Sequence, residues 1–538
     1  MGYYRKNFKT SKGASFPPSV KTQVIPASIG GINTLDSFLT MPPQDCVYCY
    51  NLIPGSRGMQ LRKGYAESAN GIGGSVRTLI PFEGSSFDGS GNRLFACAED
   101  GIYDVSVSGD TSPTRVYEFS VKDDLSGLGN YTQMTNDAGN FYLFYADESN
   151  GLLRYDETSG LWTQPSDITG ALVVADVRFV KIHKQRLWLV ESNSADAWYL
   201  PVDSIAGAAT KFTFGSKFIH GGQLMGLWNW TVDGGAGVDD FLVAVSRSGD
   251  VLLYKGSDPS LDDWGSVGTY YVGEVPRSRR IAAEYGADLF ILSRYGLTAV
   301  RDLLGGVESF DPTKSTTGKV SELFRQFVAP QLSSPYWSIE VSPGDDALII
   351  VTPASTLANS IQFVRNLTTG AWGMWRGIPA VSVAVWGGEL YFGWDNGSVY
   401  ISKGASDGTL IDGTPGTSIE FSLLTAYTNF NDPTSQKMVN QVRTLMYNGG
   451  TEKIATRVLY DYDVASTPYD PGAASGEVGS LWDVSLWDQA LWDLTSASKK
   501  IIGGQGIGQS VAVALRGSAN SRVILVEFDL TYTSGGFM

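Results

Sequence analysis

Phe241-Leu-Val-Ala-Val-Ser-Arg-Ser-Gly-Asp-Val-Leu-Leu-Tyr254 sets two apolar runs on either side of a polar turn. A short apolar run bounded by turn formers reads as a buried strand, and two such runs around Gly-Asp read as a hairpin. The figure returns along the chain. It appears upstream in Arg93-Leu-Phe-Ala-Cys-Ala-Glu-Asp-Gly-Ile-Tyr-Asp104, in Phe141–Tyr145 continuing to Leu152–Tyr155, and in Arg186–Val190 continuing to Trp198–Leu200. Downstream it appears in Leu289–Val300, in Ala347–Val351 continuing to Ile361–Val364, and in Leu390-Tyr-Phe-Gly-Trp-Asp-Asn-Gly-Ser-Val-Tyr-Ile401. With Leu94, Tyr142, Leu187, Leu242, Leu289, Leu348 and Leu390 as anchors, the steps are 48, 45, 55, 47, 59 and 42 residues.

These steps match the blade of a β-propeller, about 40 to 50 residues of four antiparallel strands. Stacking blades in a ring removes the long sheet edges that invite aggregation. The expectation for residues 76–404 is an irregular propeller of about six or seven blades, preferred to a pair of β-sandwiches. Composition agrees with an all-β chain. The 63 Gly, 26 Tyr, 24 Phe and 14 Trp against 18% charged residues suit many short strands and glycine turns, not charged surface helices.

The flanks read differently. Residues 1–75 carry breakers at Pro17-Pro18, Gly30-Gly31 and Pro42-Pro43 and no sustained period, which reads as an extended N-terminal arm wrapped over other parts. Residues 405–538 carry strand-like runs at Glu420–Ala426, Val439–Tyr447, Ile454–Tyr460, Ser510–Leu515 and Arg522–Tyr532, expected to form a separate C-terminal β-sandwich or barrel. Between the last of these lies Trp482-Asp-Val-Ser-Leu-Trp-Asp-Gln-Ala-Leu-Trp-Asp493. A five-residue spacing lines neither a strand face nor a helix face, so Trp482, Trp487 and Trp492 read as packing or interface anchors of an irregular loop.

The formal net charge of -15 argues against sequence-unspecific binding of nucleic acid by the body. Arg5, Lys6, Lys9, Lys12 and Lys21 precede the first acid, so removing those five positive charges leaves -20 on the remainder. A basic arm over residues 1 to about 35 buries too little apolar surface to fold alone, and is expected to be largely disordered until it docks on an acidic neighbour. No apolar run approaches the roughly 18 residues of a membrane span, and the N-terminus lacks a secretory h-region. Three cysteines cannot form a disulfide framework. Synthesis and assembly in the cytosol are expected, with no stable membrane insertion.

Candidate chemistry is sparse. Cys46-Val-Tyr-Cys49 has the spacing of a redox dithiol or half a zinc site, but no second pair accompanies it, and burial is the preferred role for these thiols and for Cys97. A triad or metal site would need His183 or His220, neither beside a nucleophile elbow, and His183 reads as a half-exposed turn residue. Asp239-Asp240, Asp262-Asp263 and Asp345-Asp346 are the candidate carboxylate pairs of a glycosidase. All three fall at turns, where Asp is favoured for local hydrogen bonding. The chain is expected not to be an enzyme and to use no cofactor or metal.

One longer pattern remains. Gly30-Gly-Ile-Asn-Thr-Leu-Asp36, Met41-Pro-Pro-Gln-Asp-Cys46, Asn51-Leu-Ile-Pro54 and Leu61-Arg-Lys-Gly-Tyr65 resemble, in order and spacing, the opening of tail nozzle (tail hub) proteins of short-tailed bacteriophages. The matching positions are Gly30, Gly31, Asn33, Met41, Pro42, Pro43, Asn51, Pro54, Arg62, Gly64 and Tyr65. The propeller-like repeat and the Trp-Asp segment are also similar to that group, whereas Cys46 and Cys49 stand where small or apolar residues are expected.

The resemblance implies a virion structural protein, a subunit of a six-fold ring below the adaptor (head-to-tail connector). That ring forms the distal conduit for the genome and carries a needle, plug or tail fibres. DNA would pass the lumen without sequence-specific binding, and an acidic lining would let it slide. The alternatives are a receptor-binding fibre or glycan-hydrolysing propeller, which calls for β-helix repeats or a carboxylate-lined cleft, and a cellular propeller scaffold, which calls for tidier repeats.

Overall fold

The apolar runs along residues 78–402 pair with their immediate sequence neighbours, and the result is a succession of small antiparallel sheets. The computed structural model describes residues 20–233, 238–304, 315–448, 452–474 and 496–537. Sheet I holds Thr78–Phe82, Arg93–Ala98, Gly101–Asp104 and Thr114–Glu118. Sheet II holds Gly129–Thr135, Phe141–Asp147, Gly151–Asp156 and Leu161–Thr163. Sheet III holds Val177–His183, Arg186–Glu191, Asp196–Tyr199 and Thr210–Thr213. Sheet IV holds Leu224–Asp233, Val238–Ser246, Asp250–Lys255 and Gly265–Tyr271.

Sheet V has three strands, Ala282–Tyr285, Asp288–Ser293 and Gly296–Ala299, followed by the short helices Val300–Leu304 and Ser321–Val328. Sheet VI is Ser338–Ser342, Ala347–Val351, Ile361–Asn366 and Trp372–Arg376. Sheet VII is Ser382–Trp386, Glu389–Gly393 and Val399–Ser402, completed by Tyr65–Ala69 from far upstream. The chain is all-β in class. Each of the seven anchors, Leu94 to Leu390, falls in the second strand of one sheet. These strands are covered on both faces, which is why they read as unbroken apolar runs.

Local sequence fixes the hairpins. Lys184 and Gln185 both have positive φ, 49° and 57°, as a two-residue turn between right-twisted strands requires, and they join Ile182-His183 to Arg186-Leu187.

The first strand of each sheet packs on the first strand of the next, from sheet I round to sheet VII, and Ser382–Trp386 returns against Thr78–Phe82. The core therefore lies mostly in the contacts between adjacent sheets. Phe82, Phe95, Tyr145 and Trp162 fill the space between sheets I and II, and Phe144, Val180, Leu189 and Trp198 that between II and III. Leu79, Tyr131, Phe179, Trp228, Ala283, Glu340 and Val383, one from the first strand of each sheet, line a common axial cavity of about 380 Å³.

The rest of the chain forms two facing layers. One contains Val20–Pro26, Leu52–Gly55, Gly58–Leu61, Ser435–Asn448, Ser496–Gly503 and Val523–Phe537. The other contains Asp45–Tyr50, Thr417–Thr425, Lys453–Tyr460 and Val511–Ala519. Ser435–Asn448 alternates buried and exposed positions, and its Val439, Val442 and Met446 share a core with Ile454, Val458, Val513, Leu515, Phe528 and Leu530. The second layer is continuous with the sheet circuit. Tyr50 pairs with Met374 of sheet VI, and Ser406–Thr409 links Thr417–Thr425 to Tyr65–Ala69 of sheet VII, giving one 14-stranded sheet.

The N-terminal segment differs from an extended arm. Residues 20–69 hold six short strands shared between both C-terminal layers and sheet VII. Pro42-Pro43 sits in the turn before Asp45, whose N–H donates to Pro42 O at 2.9 Å, Gly31 opens the strand Gly31–Ile32 with φ +78°, and Pro17-Pro18 lies outside the described residues. Val20–Pro26 pairs with this chain's own Glu527–Thr533, in a ladder that buries Ile25, so this part of the basic segment is a strand of the C-terminal layer. Residues 1–19, with Arg5, Lys6, Lys9 and Lys12, lie outside the described residues.

Candidate functional site

The residues singled out between Gly30 and Tyr65 converge on the seam between the sheet circuit and the C-terminal layers. Arg62 is the centre of one group. Its Nη1 and Nη2 donate to Asp407 Oδ1 and Oδ2 at 2.7 and 2.6 Å. Nη2 also donates to Arg376 O at 3.1 Å, Nη1 to Lys63 O at 2.9 Å, and Nε to Asn51 Oδ1 at 3.0 Å. All five guanidinium N–H groups are thereby matched in a buried position.

Asn51 holds the left-handed conformation, φ 60°, that Asn tolerates better than most residues. From there its Oδ1 also accepts Arg376 N at 2.8 Å, and its Nδ2 donates to Glu420 O at 2.8 Å. One side chain thus touches sheet VI and the C-terminal layer. Gly64 lies so close to Ser406 that a Cβ would sit 2.0 Å from its carbonyl oxygen. Tyr65 packs edge-on to Tyr400 with centroids 5.3 Å apart, and burial pushes its hydroxyl pKa up. Pro54 is buried in the hairpin that pairs it with Met59.

Asn33 centres the second group. Its Nδ2 donates to Asp45 Oδ2 at 2.7 Å and Asp36 Oδ2 at 2.9 Å, and its Oδ1 accepts the N–H groups of Leu35 and Asp36. Lys319 Nζ binds the other oxygen of the buried Asp45 at 2.7 Å. A Cβ on Gly30 would strike Asp45 Oδ1, and one on Gly31 would strike Trp372 O. Met41 is buried, while Pro42 and Pro43 form the exposed turn before Asp45. Both groups abut Trp372–Arg376, the last strand of sheet VI.

Sequence reading found Arg62 and Asn51 but not Asp407, Arg376, Asp45 or Lys319, whose partners lie up to 345 residues away. Beside the seam is an open cleft of about 440 Å³ lined by Tyr48, Tyr50, Arg376, Glu420 and Arg516, with the Arg376 guanidinium 3.4 Å from the Tyr50 ring centroid. The Arg62 and Asn51 side chains clamp the elements that meet at the seam.

The other candidates are dispersed. Cys46, Cys49 and Cys97 are buried free thiols, and desolvation pushes Cys46 and Cys97 well above the usual thiol range. His183 is not half-exposed but 3% accessible, because its hairpin lies under Asn229 and Trp264. Burial lowers its pKa to about 4. His220 Nδ1 lies 2.7 Å from Asp250 Oδ1, with its ring against Tyr271.

Four members of the carboxylate pairs are held by other side chains. Asp240 bonds Thr231 and Lys184, Asp263 accepts from Ser257, Asp345 binds Lys63 at 2.8 Å, and Asp346 accepts from Asn366 and Thr368. Trp482, Trp487 and Trp492 lie outside the described residues. Among the described residues no group of three or more His, Cys, Asp or Glu could hold a metal ion, and no helix is long and apolar enough to cross a membrane.

No family model matches the chain, and no curated protein matches it. Solved structures similar to parts of it include the computationally designed Ika8 protein, at 9% identity and TM-score 0.33, covering 63% of this chain and 99% of that one. Another is the extracellular domain of the hybrid two component system BT3049 from B. thetaiotaomicron, at 14% identity and TM-score 0.37, covering 61% of this chain and 40% of that one.

Proposed function

We propose that the chain is a tail nozzle subunit of a short-tailed bacteriophage, an irregular seven-bladed propeller locked to a C-terminal β-sandwich platform. The observation that carries this reading is the seam. The residues of the nozzle-like opening, Asn33, Asn51, Arg62, Gly64 and Tyr65, are spent on fixing the platform to the last two sheets of the circuit, around the Arg62–Asp407 pair. A part that must transmit load between an adaptor and a distal needle, plug or fibres needs such a rigid joint.

The fold supports the arrangement. An axial cavity of about 380 Å³ holds roughly a dozen waters and is far too narrow for a DNA duplex. The conduit in this reading is therefore the space enclosed by six copies, and the acidic bodies around it let DNA slide. Assembly takes place in the host cytoplasm and the product is part of the virion. Electron microscopy of the purified chain over a range of concentrations tests the proposal. Six-fold rings are the expected result, and monomers throughout, or rings of another symmetry, would count against it.

A further inference from the structure

The axial cavity carries chemistry that the seam and the tail reading leave unused. One end is lined by Arg279 and Arg280, from the segment that runs between sheets IV and V. Arg279 is pinned there by Glu148 at 2.5 Å and by the carbonyls of Leu224 and Met225. Arg280 Nη2 donates to Arg77 O at 3.0 Å. A separate void of only about 10 Å³ is lined by the same arginines. The opposite end is lined by the exposed turn at Tyr285-Gly286 and by the Lys181–Glu284 ion pair, 2.7 Å apart.

Inside, Glu340, Tyr131 and Arg280 present polar groups, and Arg280 Nη1 is buried with no hydrogen-bond partner among the described residues. Glu340 accepts a backbone N–H from Val341, and the Tyr131 hydroxyl lies within electrostatic reach of both Glu340 and Arg280. Arg280 attracts Glu340 without forming an ion pair with it. Leu79, Phe179, Trp228, Ile339 and Val383 add an apolar and aromatic part to a lining that also carries Asn130 and Arg279. A cavity of 300 to 1,000 Å³ with apolar walls and a few convergent polar groups is the usual form of a small-molecule site, by order of magnitude. Its charges narrow the ligand. Lys181 and Glu284 neutralise one another, Arg280 disfavours a cation, and the Glu340 carboxyl beside it disfavours an anion. A hydroxyl group can donate to Glu340 and exchange hydrogen bonds with Tyr131, while the C–H face of a ring covers the aromatic wall.

We infer that the axial cavity binds a small neutral polyol, a single sugar ring or its equivalent, with Glu340 and Tyr131 as its polar contacts. This site is independent of the nozzle reading, since it needs only the closed circuit of sheets. Burial raises the Glu340 pKa to about 7, which suits a carboxyl kept ready to pair with a hydroxyl.

Saturation-transfer NMR with glucose, galactose, N-acetylglucosamine and myo-inositol at millimolar concentration, and with succinate as an anionic control, tests the assignment on the full chain. Transfer to at least one neutral probe is expected, with affinity reduced about five-fold in Tyr131→Phe and more in Glu340→Gln. Thermal melting confirms that each variant is folded. No transfer to any neutral probe, transfer to succinate alone, or affinity unchanged in both variants would each overturn the proposal.

Discussion

Arg62 and Asp407 lie 345 residues apart in sequence and meet in a bidentate ion pair with N–O distances of 2.7 and 2.6 Å. Arg62 comes from the segment that leads into the closing strand of sheet VII, and Asp407 from the strand that links sheet VII to the C-terminal layer. One pair therefore holds three parts of the molecule in register. Removing a single partner of a buried pair leaves an uncompensated charge, which costs about 3 to 5 kcal/mol. Arg62→Ala should lose stability of that order in urea denaturation. Arg62→Lys should recover only part of it, because an ammonium cannot reproduce the fork that also reaches Asn51 and Arg376. Equal stability of wild type and Arg62→Ala would show that the seam is not held this way.

Glu340 supplies a pH test. Desolvation raises its pKa from 4.5 to about 7 in the folded chain. The folded state thus holds a proton that the unfolded state has already released, and the stabilisation is present below pH 4.5 and lost as the pH rises through 7. Glu340→Gln should match wild type at acidic pH and exceed it by about 3 kcal/mol at pH 8. Chemical denaturation across this range checks it, and parallel pH profiles would refute the assignment.

His183 works in the opposite direction. Asn229 Nδ2 donates to Ile182 O at 2.9 Å, which leaves Asn229 Oδ1 to accept a hydrogen bond from His183 Nδ1–H and fixes the tautomer. Burial lowers the pKa from 6.5 to about 4, so below pH 6.5 the unfolded chain takes up a proton that the folded one refuses. Stability should fall as the pH drops from 6.5 towards 4, and His183→Gln should flatten that part of the profile. In the nozzle reading neither His183→Gln nor His220→Gln should impair assembly or infectivity. A hydrolase activity lost in the double variant would contradict the non-enzymatic reading.

What could be read from sequence follows from how locally each feature is built. The second strands of the seven sheets were legible at Leu94, Tyr142, Leu187, Leu242, Leu289, Leu348 and Leu390 because hairpin neighbours bury them on both faces. Tyr65–Ala69 was not, since its partner Val399–Ser402 lies far along the chain and its own sequence, Tyr-Ala-Glu-Ser-Ala, has no strand signature. Helix Ser321–Val328 carried a signal that a strand-centred reading passed over: Leu323, Phe324, Phe327 and Val328 recur at helical spacing, with Phe324 and Val328 buried. At the seam the sequence exposed Arg62 and Asn51 but not their partners. In the axial cavity Glu340 sits in an ordinary alternating strand, and its setting arises only when the sheets close into a circuit.

The N-terminal segment offers the last test. Lys21 stands in a strand whose ladder runs from Val20–Thr533 to Pro26–Glu527, so deleting residues 1–26 removes positive charge and structure together. The deletion exposes one edge of Val523–Phe537 and the apolar surface under Ile25, worth about 2 kcal/mol for that side chain alone. A lower melting temperature and a tendency to aggregate are expected whatever the arm binds. A second variant isolates the electrostatic part. Replacing Arg5, Lys6, Lys9 and Lys12 by Gln keeps the strand and removes four charges. If the arm docks on an acidic neighbour, as proposed for the nozzle, this variant should form rings and bind the adaptor more weakly at low salt, and the difference from wild type should shrink as screening increases. Equal assembly and adaptor binding at every salt concentration would leave the strand as the segment's contribution and remove the docking role.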